Sequence, residues 1–184
     1  MRALPLFTLA AASAVASPGG AWAATYLSAE QAAQLMFPQA DHWEQRSATL
    51  SAEQLKQLAA SGVPPRSAQW NLRLAWQGNK PLGVVVIDDV VGKFELITYA
   101  VGLNLDGTVQ QVEVLAYRES HGHEIRLPAW RKQFVGKGAS APIRLGDDIA
   151  NISGATLSCS HVTDGVRRIV AVVRLWRQAS GWPT

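Results

Sequence analysis

Cysteine occurs once in 184 residues, at Cys159, so no disulfide closes within the chain, and that residue lies too deep to be the lipidated first residue of a lipoprotein. Beyond the opening segment, no apolar run approaches the ~20 residues that a bilayer-spanning helix needs. Basic residues are spread from Arg46 to Arg177 without a dense run, and the formal charge is only +3. Nucleic acid is therefore not an expected partner, because its phosphates demand a clustered basic face. A Cys-x-x-Cys-His heme motif is missing, and neither Ser153 nor Ser158 sits in a nucleophile-elbow pattern. His121-x-His123 and Cys159-x-His161 are isolated pairs without four-ligand spacing, so no metal site is expected.

The first residues, MRALPLFTLAAASAVA, combine one basic side chain with an apolar stretch too short to span a bilayer. Pro18, Gly19 and Gly20 follow, then Ala21-Trp22-Ala23, the small-x-small pattern a signal peptidase accepts. Residues 1–23 are expected to be a signal peptide, with a mature start at Ala24 and Ala14-Val15-Ala16 as the alternative site. The expected location is the periplasm. No arginine pair precedes the apolar stretch, which favours export of the unfolded chain and acquisition of any cofactor outside. Removing 23 residues from 184 leaves 161, enough for one domain with a real core.

Leu27–Gln31 and Leu50–Gln54 both read LSAEQ, a serine three residues before a glutamine. Each is a capping box, predicting helices to about Met36 and about Ala60. Trp70, Leu72, Leu74 and Trp76 then share one face of a half-buried strand. Gly78-Asn79 turns the chain into Leu82–Val91, a β-branched run that reads as a central strand. Phe94–Leu105 and Thr108–Tyr117 are predicted as a hairpin closed by a two-residue Asp106-Gly107 loop with both residues at positive φ. A long loop follows, with one short helix near Pro128–Phe134. Val162, Val166, Ile169, Val170, Val173 and Trp176 recur at helical spacing, so the chain closes on an amphipathic helix. Its Arg167, Arg168, Arg174 and Arg177 read as a solvated face, or alternatively as a contact for a membrane or acidic partner. The expected fold is α+β, an antiparallel sheet with two N-terminal helices and a packed C-terminal helix. Residues 24–80 form an N-terminal region and 81–178 the functional domain.

Chemistry concentrates in Ile152-Ser153-Gly154-Ala155-Thr156-Leu157-Ser158. Gly154 permits a sharp turn, Ser153, Thr156 and Ser158 offer hydroxyls, and the helix that follows points its N–H groups and positive dipole end back at the same place. The residues alone leave two readings open, an anion site or a serine-rich helix cap.

The run SGAT followed by a small or hydroxyl residue resembles the flavinylation motif of the FMN-binding domain family, found in flavin subunits of sodium-translocating and related electron-transport complexes and in small periplasmic relatives. The likeness extends in order through YRESHGHEI, PAWRKQFVGK and RLGDDIANISGATLS to the closing helix, over roughly Lys93 to Trp176. It implies FMN attached by a phosphoester to Thr156, with a flavin transferase as maturation partner and Ser153, Gly154 and Ala155 shaping the turn. This chain departs from the family at Ala150, where an aspartate is common, with Asp147 and Asp148 just upstream. It departs again at Glu124-Ile125-Arg126-Leu127, where subunits of the large complexes read Glu-Thr-Pro-Gly.

A flavin needs an apolar wall and a few polar groups. The candidates are the Ser120–Glu124 loop, with His123 and Glu124, then Trp130 and Phe134, with Ser158 and Lys137 near the phosphate or the ring edge. Trp130 and Phe134 also read as a core pair, and Lys137 as a solvated turn residue. The resemblance implies an electron carrier rather than a stand-alone enzyme, working between an unnamed membrane or periplasmic redox partner and an acceptor. A non-redox or non-covalent flavin-binding module of the same fold is the alternative.

Overall fold

The computed structural model describes residues 24–182, so the expected signal peptide lies outside the described residues. Six strands form one antiparallel sheet: β1 (Ala24–Thr25), β2 (His42–Thr49), β3 (Gln69–Gln77), β4 (Lys80–Val91), β5 (Leu96–Asn104) and β6 (Val109–Tyr117). Their spatial order is β1-β6-β5-β4-β3-β2. Helices α1 (Ala29–Met36), α2 (Ala52–Ala60), a short α3 (Pro128–Arg131) and the 25-residue α4 (Thr156–Ser180) complete an α+β architecture.

Both capping boxes form as the spacing predicts. The hydroxyls of Ser28 and Ser51 accept the N–H groups of Gln31 and Gln54, and each glutamine side chain returns to the serine N–H. The alternation of strand side chains divides the core between two faces. Val85, Ala100 and Leu115 meet α1 through Ala32, Ala33 and Met36. Val84, Val86, Tyr99 and Val101 face the other way, onto α4 and Leu58 of α2. Along α4 the predicted stripe is buried at Val162, Val166, Ile169, Val170 and Val173. Each such side chain contributes about 1.5–3 kcal/mol of transfer free energy. Small residues let α1 approach: a Cβ on Gly83 would lie 2.4 Å from the Phe37 ring, and one on Gly102 2.9 Å from Met36 Sδ.

Three details differ from expectation. His42–Thr49 is an edge strand that the sequence pattern did not mark. The β5–β6 connection is not a two-residue loop: only Gly107 takes positive φ (85°), its N–H donates to the Asn104 carbonyl, and Asp106 instead accepts from the Thr108 N–H and hydroxyl. Three of the four helix arginines do not form a free solvated face. Arg167 and Arg168 donate to the carbonyls of Gly62 and Pro64, and Arg177 is buried beside Gly107.

Candidate functional site

Helix α4 starts at Thr156, earlier than its apolar stripe, so Thr156 and Ser158 occupy the first helical turn. Ala155 precedes it and no side chain caps it. The first N–H groups of any helix lack intrahelical acceptors, so this end offers donors and the positive pole of a dipole about 37 Å long. Gly154 reaches the turn at φ 84°, a conformation costly for other residues. The Asn151 amide donates to Thr156 Oγ1 at 3.0 Å, fixing the oxygen while leaving its O–H free to point elsewhere.

What precedes Asn151 is pinned from the core. The Trp130 indole N–H donates to the Ala150 carbonyl at 2.8 Å, and Gln133 Oε1 accepts the Ala150 N–H at 2.8 Å. Trp130 and Phe134 are buried and meet edge to face at 5.1 Å, so the structure places both in the core, where they hold the motif's approach and do not line a wall. Lys137 lies at the far end of β6, its carbonyl accepting from Val109 and its ammonium 2.8 Å from Asp148. Asp148 also accepts from the Ile143 and Arg144 N–H groups, at 3.2 and 2.8 Å. Burial works against its charge, but these donors outweigh it and hold the carboxyl below its usual range. With its oxygens committed there, Asp148 does not reach Thr156 in place of the aspartate absent at Ala150.

A cavity of about 400 Å³ opens at the start of α4, lined by Gly154–Ser158 on one side and by Ser120, His121, Glu119, Lys93 and Phe94 on the other. Phe94 is 75 % exposed, an unusual state for a phenyl ring, with Lys93 Nζ 4.9 Å above it. The turn carrying them is clamped by Glu119, whose Oε1 accepts the Phe94 and Glu95 N–H groups at 2.6 and 2.9 Å. Partial burial raises the Glu119 carboxyl, but the N–H groups of Glu95, Phe94 and Lys93 together bring it below its ordinary value. Tyr117 braces two of the lining residues, His121 and Ser158. Its hydroxyl donates to the His121 carbonyl and lies 3.1 Å from Ser158 Oγ, and Gly122 packs so closely that a Cβ there would sit 2.7 Å from it. Burial pushes the Tyr117 hydroxyl up, despite the Ser158 bond, so it stays protonated and donating at neutral pH.

Of the residues expected from sequence, the structure gathers Gly154, Ala155, Thr156 and Ser158 around one cavity, with Ser153 beginning the same turn. His123 and Glu124 form a 3-10 turn beside it without lining it. Cys159, buried, has its thiol raised first by burial and further by the nearby Glu124 charge. His161 bonds the Val91 carbonyl through Nδ1 at 2.5 Å. Among the described residues no group of three His, Cys, Asp or Glu could hold a metal ion. Sequence reasoning missed Asn151, Lys93, Phe94 and Glu119. Asn151 could have been found from its place next to the motif, but the others reach the site only through strand pairing.

An uncapped helix end with exposed hydroxyls, an aromatic face and a lysine beside it fits a phosphate joined to a planar apolar ring. No curated protein matches this chain. Among solved structures, NqrC of Shewanella oneidensis is similar at 17% identity and TM-score 0.43, covering 83% of this chain and 78% of that one. The sequence model of the FMN-binding domain family matches residues 92–171, a span that runs from the end of β4 through the whole cavity and most of α4. Over residues 92–171, less than half of its length, this chain is therefore similar to the FMN-binding domain family.

Proposed function

We propose that the protein is an exported electron carrier whose FMN is joined by a phosphoester to Thr156 Oγ1. The observation that carries this reading is the setting of that hydroxyl: first residue of an uncapped 25-residue helix, oriented by Asn151, and opening onto the cavity faced by Phe94. During maturation by a flavin transferase, Thr156 Oγ1 gains a bond to the FMN phosphorus of FAD and gives up its proton, while the diphosphate bond breaks and AMP leaves. The free N–H groups of the first turn and the α4 dipole hold the phosphate's negative charge. Phe94 offers its face to the ring and Lys93 its charge to the ring's electron-rich edge. When bound, FMN supplies the redox chemistry.

Attachment suits a periplasmic location, because a cofactor lost there is not replaced by local synthesis. An open cavity suits a carrier, since electrons pass to a partner at the exposed edge and no substrate has to be enclosed. The test is to purify the protein from the periplasm of cells that also make a flavin transferase, then precipitate it with acid. A yellow pellet whose redissolved protein is bleached by dithionite and recoloured by air supports the reading. Flavin left wholly in the supernatant would contradict the covalent link, and a protein retained in the cytoplasm would contradict the location.

A further inference from the structure

A second cavity, of about 220 Å³, lies halfway along α4 and shares no residue with the flavin cavity. Arg167, Val170, Ala171 and Arg174 line it from the helix at i, i+3, i+4 and i+7, and Arg144 lines it from the facing loop, with Val63 among its apolar residues. No aspartate or glutamate lines it. Arg167 is neutralised from outside by Asp164 at 3.0 Å, yet its Nε is buried without a hydrogen-bond partner. Arg144 and Arg174, both exposed, make no ion pair through their guanidinium groups among the described residues. Asp148 ties the loop that presents Arg144 by accepting the Ile143 and Arg144 N–H groups. Ile143, whose N–H Asp148 accepts, sits at φ 44°, outside the range a β-branched residue normally takes.

We infer that this cavity binds a phosphate monoester carried on a small apolar group. The uncommitted guanidinium forks of Arg144 and Arg174, with Arg167 adding charge behind its bonds to Asp164 and the Gly62 carbonyl, match the oxygens of a phosphoryl dianion, which arginine binds through paired N–H groups. Their mutual repulsion in a cleft with one outside carboxylate is relieved by such an anion, and the low-dielectric walls focus the field upon it. Val63, Val170 and Pro142 supply the surface for the apolar remainder. The space admits a small molecule or a single lipid headgroup. Eleven residues separate Thr156 from Arg167, about 16 Å along the helix axis, so the site operates independently of flavin attachment.

Calorimetric titration of the full chain with phenyl phosphate and with inorganic phosphate tests this, alongside sedimentation with phosphatidylcholine vesicles containing phosphatidic acid. Phenyl phosphate is expected to bind more tightly than inorganic phosphate, and Arg144→Gln and Arg174→Gln are each expected to weaken it about tenfold or more. Lys80→Gln, an exposed charge at the β3–β4 turn, should leave it unchanged. Binding to the vesicles alone, lost in both arginine variants, identifies a lipid as the source of the same phosphoryl group and supports the site. Absence of binding to phenyl phosphate and to the vesicles alike overturns the inference, as does binding that both arginine variants retain at wild-type strength. Unchanged melting temperatures in the two variants establish that a loss of binding is not a loss of fold.

Discussion

Gly165 lies inside α4, where helix propensity favours alanine by about 1 kcal/mol. In this protein Gly165→Ala is expected to do the opposite. A Cβ at that position would stand 2.0 Å from Tyr99 Oη, 2.8 Å from its Cζ and 3.3 Å from Val90 Cγ1. Reaching an ordinary contact of about 3.4 Å requires a movement of roughly 1.4 Å by the helix or the ring. Tyr99 is wholly buried and donates to Asp88 Oδ2 at 3.0 Å, so the ring retreats only by giving up that bond. Overpacking costs about 1–3 kcal/mol, and a hydrogen bond to a charged acceptor about 1.5–3 kcal/mol. Set against the propensity gain, the net loss is about 1.5–5 kcal/mol. Urea unfolding measures it as a lower midpoint at unchanged slope. Tyr99→Phe removes the nearest atom, so the double variant should be less destabilised than the sum of the singles by about 1 kcal/mol or more. A Gly165→Ala protein more stable than wild type, or additivity within about 0.5 kcal/mol, would refute the packing argument.

Tyr117→Phe should cost about 1–3 kcal/mol in urea unfolding and lower flavin incorporation, because it leaves the His121 carbonyl and the buried Ser158 hydroxyl without their partner. Ser28→Ala and Ser51→Ala should each cost about 1 kcal/mol with flavin content unchanged, both caps lying away from the cavity; loss of flavin in either would assign the N-terminal helices a part in the site. Asn151→Ala should slow flavin attachment in a timed transferase assay without lowering the melting temperature, and an unchanged rate would remove Asn151 from the site. Because the folded Glu119 carboxyl lies below its ordinary value, its clamp on the Phe94 turn is fully present above the ordinary glutamate range and is lost as pH falls through the lower folded value. Melting curves of wild type and Glu119→Ala should therefore converge under acid, and a constant gap down to low pH would count against the clamp.

The elements that were legible in the sequence carry their own local chemistry. Ser28 and Ser51 announce α1 and α2 because a capping box closes within three residues, and the valines and isoleucine of α4 announce a buried stripe through spacing alone. β2 was not legible: His42–Thr49 is mostly polar and exposed, and it is a strand because β3 pairs with it along its full length. At the site, the residues alone left an anion pocket and a plain cap equally open, and the family likeness selected Thr156. Trp130 and Phe134 have the composition of a flavin wall, yet their spacing on a short helix turns them into the core. Phe94 reads as the start of a strand, and only the Glu119 bonds across to the Phe94 and Glu95 N–H groups make it an exposed turn facing Thr156.

The central claim, FMN held covalently by Thr156, is tested most directly by the intact mass of denatured protein made beside a flavin transferase, wild type against Thr156→Val. Valine keeps nearly the shape of threonine and removes the hydroxyl, so the fold should persist. Wild type is predicted to carry the mass of FMN less one water, and Thr156→Val none. A flavin-sized increment remaining on Thr156→Val would contradict the account and direct peptide mapping to Ser158.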